Sequence, residues 1–270
     1  MSIVWESETM LAIRAAVEGA QLAHGRQFES ITTRKESMRD VLTASDLEIE
    51  RHIRNLLDNS GYGVIGEELS PETQRDLLCA DKPAWVVDPI DGTANYVNGF
   101  DYYAVSVGLA TRDDFLLGAV CLPERTELFS TLGNDRALLN GRVINHVHRV
   151  PSESLIAASF SGARDVASRR DAQFSLFGEL NDRTRGCLRL GSAASNICLT
   201  AAGRFQAAYG IGARLWDVAA ALAIAKRAEC SVWTTRSADG IGVDFAVGSR
   251  EVVALIRECA GARGLFSQML

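Results

Sequence analysis

The run Trp85-Val86-Val87-Asp88-Pro89-Ile90-Asp91-Gly92-Thr93-Ala94-Asn95-Tyr96 decides how the rest of the chain is read. Trp85, Val86 and Val87 form a buried-looking strand, which ends in two acids three residues apart and then a glycine turn. Two carboxylates kept close at a strand terminus repel each other unless a cation sits between them, so the pair itself points to a metal. Gly92-Thr93-Ala94 then opens a helix whose free N–H groups and dipole favour a phosphate. A cation site and an anion site adjoin.

Further acids stand at the ends of other elements. Gly66-Glu67-Glu68 follows a strand around Val64, Asp46 falls in the first turn of a helix starting near Ser45, and Trp216-Asp217 opens a helix over 217–229. Taken singly, Asp46 and Asp217 suit a helix N-terminus electrostatically, and Glu67-Glu68 suits a solvated turn. Taken together they suit one site. Carboxylates without a His or Cys cluster at ligand spacing select hard cations, Mg²⁺ first and Mn²⁺ second, and disfavour zinc. His24, His52, His146 and His148 all lie away from these motifs.

Composition narrows the class. A chain of 270 residues, 47% hydrophobic, allows one large domain or two intimately packed ones. Twenty-eight basic against 34 acidic residues leave a net charge of −6, so the averaged charge carries no nucleic-acid footprint. Lys35, Lys82 and Lys226 are the only lysines. Six cysteines without a C-x-x-C pair read as reduced thiols. The start MSIVWESETM has acids where a signal peptide has bases, and no apolar stretch approaches about 18 residues, so a cytoplasmic protein off the membrane is expected. No repeat or flexible linker stands out.

Met10, Ile13, Val17 and Ala20 predict an amphipathic first helix with a glycine stop near Gly25. Ser45 and Glu48 have capping-box spacing, followed by an apolar face of Ile49, Ile53 and Leu56. Short apolar runs around Val64 and over 85–87, 104–110, 115–121 and 127–131 predict a largely antiparallel sheet. Beyond Pro151, strands over 155–160, 205–209 and 244–248 alternate with helices over 192–202, 217–229 and 250–262. The expected fold is therefore α+β, with an α+β half at 1–150 carrying most metal ligands and an α/β half at 151–270 carrying Asp217 and the specificity residues, packed as one unit.

Asp88-Pro89-Ile90-Asp91-Gly92-Thr93, with Gly66-Glu67-Glu68 before it and Trp216-Asp217-Val218-Ala219-Ala220 after it, resembles the inositol monophosphatase family of Mg²⁺-dependent, lithium-sensitive phosphatases. Lys35, the segment from Asp40 to Asp46, and Arg189-Leu190-Gly191-Ser192-Ala193-Ala194 share the order and approximate spacing, so the resemblance spans nearly the whole chain. It implies a layered α-β-α-β-α sandwich of the inositol monophosphatase/fructose-1,6-bisphosphatase type, usually dimeric. By that resemblance Glu67, Asp88 and the carbonyl oxygen of Ile90 hold one Mg²⁺, Asp88, Asp91 and Asp217 hold a second, and Glu67 helps a weaker third through water. Thr93, with Asp46 behind it, orients and deprotonates the attacking water, without a phosphoenzyme. Gly92 and Thr93 cradle the phosphate, Asp91 and Asp217 border the substrate, Ser192 and Ala193 line its pocket, and Lys35 and Glu68 stand at the metal-rich edge.

Haloacid dehalogenases, in which the first aspartate of Asp-x-Asp is a nucleophile, separate their acids by one residue. Here Pro89 and Ile90 intervene, which argues against an aspartyl-phosphate. Inositol 1-phosphate heads the substrates implied, with histidinol phosphate, fructose 1,6-bisphosphate and adenosine bisphosphates as alternatives. A position seven residues before Asp217, where the family contacts inositol hydroxyls through a glutamate, is Gly210, and nearby Arg214 offers a cation for a second anionic group. Because a bacterial branch of the family modulates transcription complexes, a non-catalytic binding role is the competing hypothesis.

Overall fold

Side-chain alternation along two sets of strands builds three separate cores, and these set the layers. The computed structural model describes residues 5–27, 32–34, 41–67, 69–79, 82–160, 167–238 and 240–266; Lys35 and Glu68 lie outside them. The first half runs α1 (Glu6–Arg26), β1 (Thr32–Arg34), β2 (Val41–Thr43), α2 (Ala44–Leu57), β3 (Val64–Gly66), α3 (Pro71–Cys79), β4 (Ala84–Asp91), α4 (Thr93–Val97), β5 (Ala104–Ala110), β6 (Phe115–Leu122), β7 (Glu127–Leu132), β8 (Arg136–Leu139) and β9 (Arg142–Ile144). The second runs β10 (Leu155–Phe160), α5 (Ala167–Arg183), β11 (Gly186–Leu188), α6 (Ala193–Ala201), β12 (Ala207–Arg214), α7 (Leu215–Arg227), β13 (Ser231–Arg236), β14 (Gly242–Gly248) and α8 (Arg250–Gly261).

Strands β3 to β9 form a seven-stranded sheet in sequence order, with the parallel pair β3–β4 at one edge and antiparallel pairs beyond it. A five-stranded sheet has the order β11-β10-β12-β14-β13, with β11, β10 and β12 parallel. Trp85, Val87, Val105 and Val107 face α1 and α2, whereas Val86 and Ala104 face α6 and α7. That same helical pair is covered on its far side by Ala208, Val243, Phe245 and Val247 of the five-stranded sheet. The outer face of this second sheet packs on α5 and α8 through Leu176, Leu180, Val252 and Ile256. Helix, sheet, helix, sheet and helix thus stack as an α+β sandwich.

The middle layer is thin because glycines admit it. A Cβ on Gly118 would lie 2.3 Å from the Ala220 carbonyl oxygen, and one on Gly108 would lie 2.9 Å from the Ala220 nitrogen. Close approach of α7 to the first sheet brings the start of that helix, with Asp217, over the end of β4.

Helix α1 buries only part of the face its apolar stripe predicts: Ala20 is in the core and Ile13 packs against it, but the buried face is centred on smaller residues. Met10 is 65% exposed, whereas Ala12, Ala15, Ala16, Gly19 and Ala23 are buried. A Cβ on Gly19 would stand 2.9 Å from Ile53 Cδ1, so small residues let the helix backbone settle against α2 and β5 where larger ones would not fit. Gly25 does not stop the helix, which continues to Arg26. Strands β8, β9, β11 and β13 and helices α3 and α5 are short or weakly amphipathic, and the apolar pattern gave no notice of them.

Candidate active site

Strand β4 stops pairing regularly where its acids begin. Asp88 is opposite Ser106 and Asp91 is opposite Ala104, with a register shift between the two pairs. Pro89 cannot donate to a ladder, and the next N–H, that of Ile90, turns back to donate to Asp88 Oδ1 at 3.0 Å. Gly92 then adopts φ +100°, and a Cβ there would lie 3.1 Å from the Tyr102 carbonyl oxygen and 3.3 Å from that of Gly191. Only glycine meets both demands without strain. In the first turn of α4 the Thr93 hydroxyl donates to the Ile90 carbonyl oxygen at 3.0 Å.

Asp91 reaches out of the first sheet to the start of α6. Its Oδ2 accepts from the Ser192 hydroxyl at 2.5 Å and from the Ala194 N–H at 2.7 Å. Burial pushes the Asp91 carboxyl up to about 6, and the donors at the helix start work against that rise. At the start of α7, Asp217 Oδ2 accepts from the Arg214 N–H at 2.8 Å, the acidic half of a capping box. Burial raises Asp217 well above the ordinary carboxylate range, and Asp91 and Glu67 add to the rise.

Asp88 shows what the elements have converged on. Its carboxyl is also raised well above the ordinary range, first by burial and then by Asp91, Asp217, Glu67 and Asp46 in turn. Asp46, Asp88 and Asp91 are 2%, 3% and 7% exposed, so water screens this repulsion poorly. Among the described residues, no three His, Cys, Asp or Glu side chains close into a ligand shell by themselves. The acids share a repulsive field, and the donors are carboxylate oxygens with the Ile90 carbonyl among them. This set fits a hard divalent cation and offers nothing to a soft one.

Asp46, Glu67, Asp88, Asp91 and Asp217, all named from sequence, are therefore brought within electrostatic reach. Ile90, Gly92, Thr93, Ser192 and Ala193 join them through the β4 turn and the start of α6. Ser192 and Ala193 are 1% and 7% exposed, and the Ser192 hydroxyl is engaged with Asp91. At Gly210 a Cβ would fall 2.2 Å from Phe245 Cε1, so an aromatic ring fills the space a side chain would need. Arg214 is half-buried at the end of β12.

Other residues escaped the sequence reading. Asn95 Nδ2 donates to the carbonyl oxygens of Tyr102 and Leu190 at 2.7 and 2.8 Å, tying α4 to the segment that delivers Ser192. The Tyr102 hydroxyl donates to Asn196 Oδ1 at 2.7 Å, and Asn196 donates to Ser159 Oγ at 3.1 Å, linking the two sheets through α6. Asn95 lies inside the decisive motif, and that position was its one signal.

Residues 5–258 match the model of the inositol monophosphatase family. Inositol monophosphatase 2 of Solanum lycopersicum is 32% identical over 252 residues, covering 90% of this chain and 91% of its own. The Nus factor SuhB of Xylella fastidiosa is 29% identical over 225 residues, covering 83% and 79%. Among solved structures, Mycobacterium tuberculosis SuhB superposes with a TM-score of 0.78 at 27% identity, covering 96% of this chain and 97% of its own.

Proposed function

Since the chain belongs to the inositol monophosphatase family and is thus a phosphomonoesterase, we propose that it hydrolyses a small phosphorylated metabolite, inositol 1-phosphate first among them, with Mg²⁺ held by Glu67, Asp88, Ile90, Asp91 and Asp217. The observation that carries this reading is the convergence of Asp88, Asp91 and Asp217, each raised first by burial and the first and last raised further by Asp91, acids delivered by two sequence-distant elements to one buried place. Bound Mg²⁺ supplies charge neutralisation, a more acidic water and stabilisation of the leaving alkoxide.

The chain's own groups do the rest. Ser192 and the Ala194 N–H fix Asp91 Oδ2, and the carboxylate held in this way would be one of the groups that hold the cation. Thr93 Oγ1, donating to the Ile90 carbonyl oxygen, keeps its lone pairs for a water hydrogen. Were the Ile90 carbonyl oxygen engaged by a bound cation, the Thr93 hydroxyl would be released to pass its proton to the Asp46 carboxylate while taking one from the attacking water. The N–H groups of Gly92 and Thr93 receive phosphate oxygens, and attack is in line without a covalent intermediate. Lys35 and Glu68, outside the described residues, are carried into the proposal as further site residues on the resemblance alone.

Phe245 against Gly210 and the Arg214 cation support a substrate with fewer hydroxyls to satisfy or a second anionic group, so histidinol phosphate, fructose 1,6-bisphosphate and adenosine bisphosphates stay beside inositol 1-phosphate. The reading includes two Mg²⁺ ions and a weaker third, inhibition by lithium, a homodimer, and a cytoplasmic setting. No described helix is long and apolar enough to cross a membrane.

Phosphate release from that substrate panel, with Mg²⁺ or EDTA and an Asp91→Asn control, tests the proposal. Mg²⁺-dependent release lost in Asp91→Asn supports it; no release from any substrate by Mg²⁺-bound protein overturns it. The relative named as a Nus factor favours a second reading, in which the surface serves a transcription complex. Full complementation of a deletion strain by Asp91→Asn would favour that role over catalysis.

A further inference from the structure

Ser106 is the one polar residue of β5, 0% exposed, and its hydroxyl has no hydrogen-bond partner. A buried hydroxyl without a partner is rare in folded proteins, because it has given up water for nothing. Its place explains the anomaly. Ser106 pairs directly with Asp88 across the β4–β5 ladder. Directly opposed residues of an antiparallel pair project from the same face, with Cβ atoms about 4.5–5.5 Å apart, within the combined reach of a hydroxyl and a carboxylate. That face is roofed by α7, since Gly108, two residues along the strand, abuts Ala220 of that helix, less than one turn beyond Asp217.

Asp88 has the complementary need. Its Oδ1 accepts one N–H, from Ile90. An ionised carboxylate accepts about four hydrogen bonds or metal contacts and donates none. A cation would take part of that capacity and keep the carboxylate charged, leaving an acceptor position turned into the protein. Ser106 offers a buried, uncommitted O–H from the strand alongside.

We propose that Ser106 is a positioning residue for Asp88: its hydroxyl donates to the Asp88 carboxylate when a divalent cation occupies the site, holding the ligand in its cation-facing orientation. The inference rests on the reading of Asp88 as a metal ligand. Outer partners of metal ligands are typically worth about 10–100-fold in metal affinity. Because this hydrogen bond belongs to the loaded state, its removal leaves the metal-free protein intact.

The test is Mn²⁺ titration of the full chain, followed by electron paramagnetic resonance of the free ion, for the wild type, Ser106→Ala and Ser106→Cys. Unfolding midpoints are measured in EDTA alongside. Ser106→Ala is expected to bind Mn²⁺ about 10-fold more weakly with an EDTA midpoint equal to or above wild type, and Ser106→Cys, a weak donor of similar shape, to fall between. Phosphatase turnover of Ser106→Ala should recover at high Mg²⁺, raising the metal requirement more than it lowers kcat. Equal Mn²⁺ affinity in Ser106→Ala overturns the proposal, as does a lowered EDTA midpoint with affinity unchanged, the sign of a packing role. Should Ser106→Ala fail to fold, Ser106→Cys carries the same comparison with the branching and heavy-atom count of the side chain kept. A wild-type protein that takes up no Mn²⁺ would instead overturn the ligand reading of Asp88, and this proposal with it.

Discussion

The two sheets meet one helical layer with opposite chemistry. From the first, β4 brings Asp88 and Asp91 into the layer, both raised by burial and Asp88 raised further by the acids around it. From the second, β12 and β14 bring Gly210 and Phe245 to it, the ring pressed against bare backbone. One side accumulates electrostatic stress that a cation relieves; the other removes polar groups and closes space. On the function proposed above, chemistry falls to the first sheet and substrate choice to the second.

The sharpest way to break that division is Asp88→Asn. The variant should lose about 10³-fold or more in Mg²⁺-dependent turnover, several kcal/mol of transition-state stabilisation, while its unfolding midpoint in EDTA rises because a buried like charge has gone. Asp91 adds a pH signature. Its folded-state pKa of about 6 stands above the ordinary 3.8, so between those values the folded protein holds more protons than the unfolded chain. Stability of the EDTA-treated protein should therefore fall as pH rises from about 4 to about 6, and saturating Mg²⁺ should abolish the slope. A flat EDTA profile would mean that the first sheet carries no such stress.

On the second sheet the expected effects are smaller and steric. Gly210→Ala should cost about 1–3 kcal/mol in urea unfolding, because the Cβ meets the ring of fully buried Phe245. Phe245→Leu in the same chain should return much of that loss. Gly210→Glu alone should be destabilised without gaining affinity for inositol 1-phosphate. If KM for that substrate instead falls in the single variant, space at Gly210 does not set selectivity.

Ser192→Ala probes the join between the regions. Removing the hydroxyl that donates to Asp91 at 2.5 Å should weaken Mg²⁺ binding about 10-fold by calorimetry, and loss of the α6 N-cap that the same hydroxyl provides to the Ser195 N–H should cost about 1 kcal/mol of stability. An unaltered affinity would show the Ala194 N–H to be sufficient.

Much of this was legible beforehand, for identifiable reasons. Asp91, Glu67, Asp46 and Asp217 sit at element ends, where a strand or helix announces itself and an acid is conspicuous, and Asp88, three residues inside the end of β4, follows directly on its apolar run. Strands β5 and β6 are apolar runs, and the structure returns them within a residue of the limits read from the sequence, whereas β4, read as ending at Val87, continues through both acids to Asp91. Ser106 could not be read, because its meaning lies in a cross-strand register with Asp88 that no local pattern encodes. Nor could Phe245, separated from Gly210 by a strand and a helix. The inward face of α1 was read only in part: Ala20 and Ile13 reach the core, but most of the burial there follows smallness, whereas periodicity was scored on bulk.

The mildest expected effect lies far from the acids, at His146. The segment after β9 is tied down by this side chain, whose Nδ1 lies 2.8 Å from the Thr200 carbonyl oxygen and whose Nε2 lies 3.0 Å from Ser249 Oγ. A carbonyl only accepts, so Nδ1 carries the proton and Nε2 accepts from the Ser249 hydroxyl in the neutral ring. Burial pulls the pKa below the ordinary 6.5, helped by His148 at 4.9 Å between ring centroids and opposed by the Thr200 carbonyl. Below pH 6.5 the unfolded chain takes up a proton that the folded protein refuses, so this site removes stability as pH falls, the reverse of Asp91. With Mg²⁺ saturating and the Asp91 slope suppressed, thermal midpoints from pH 8 to 5 should bend downward below about 6.5 in the wild type and less in His146→Asn. Equal bending in both would trace the acid loss to another group, and a wild type without any bend would mean that the His146 ring accepts its second proton without leaving Ser249.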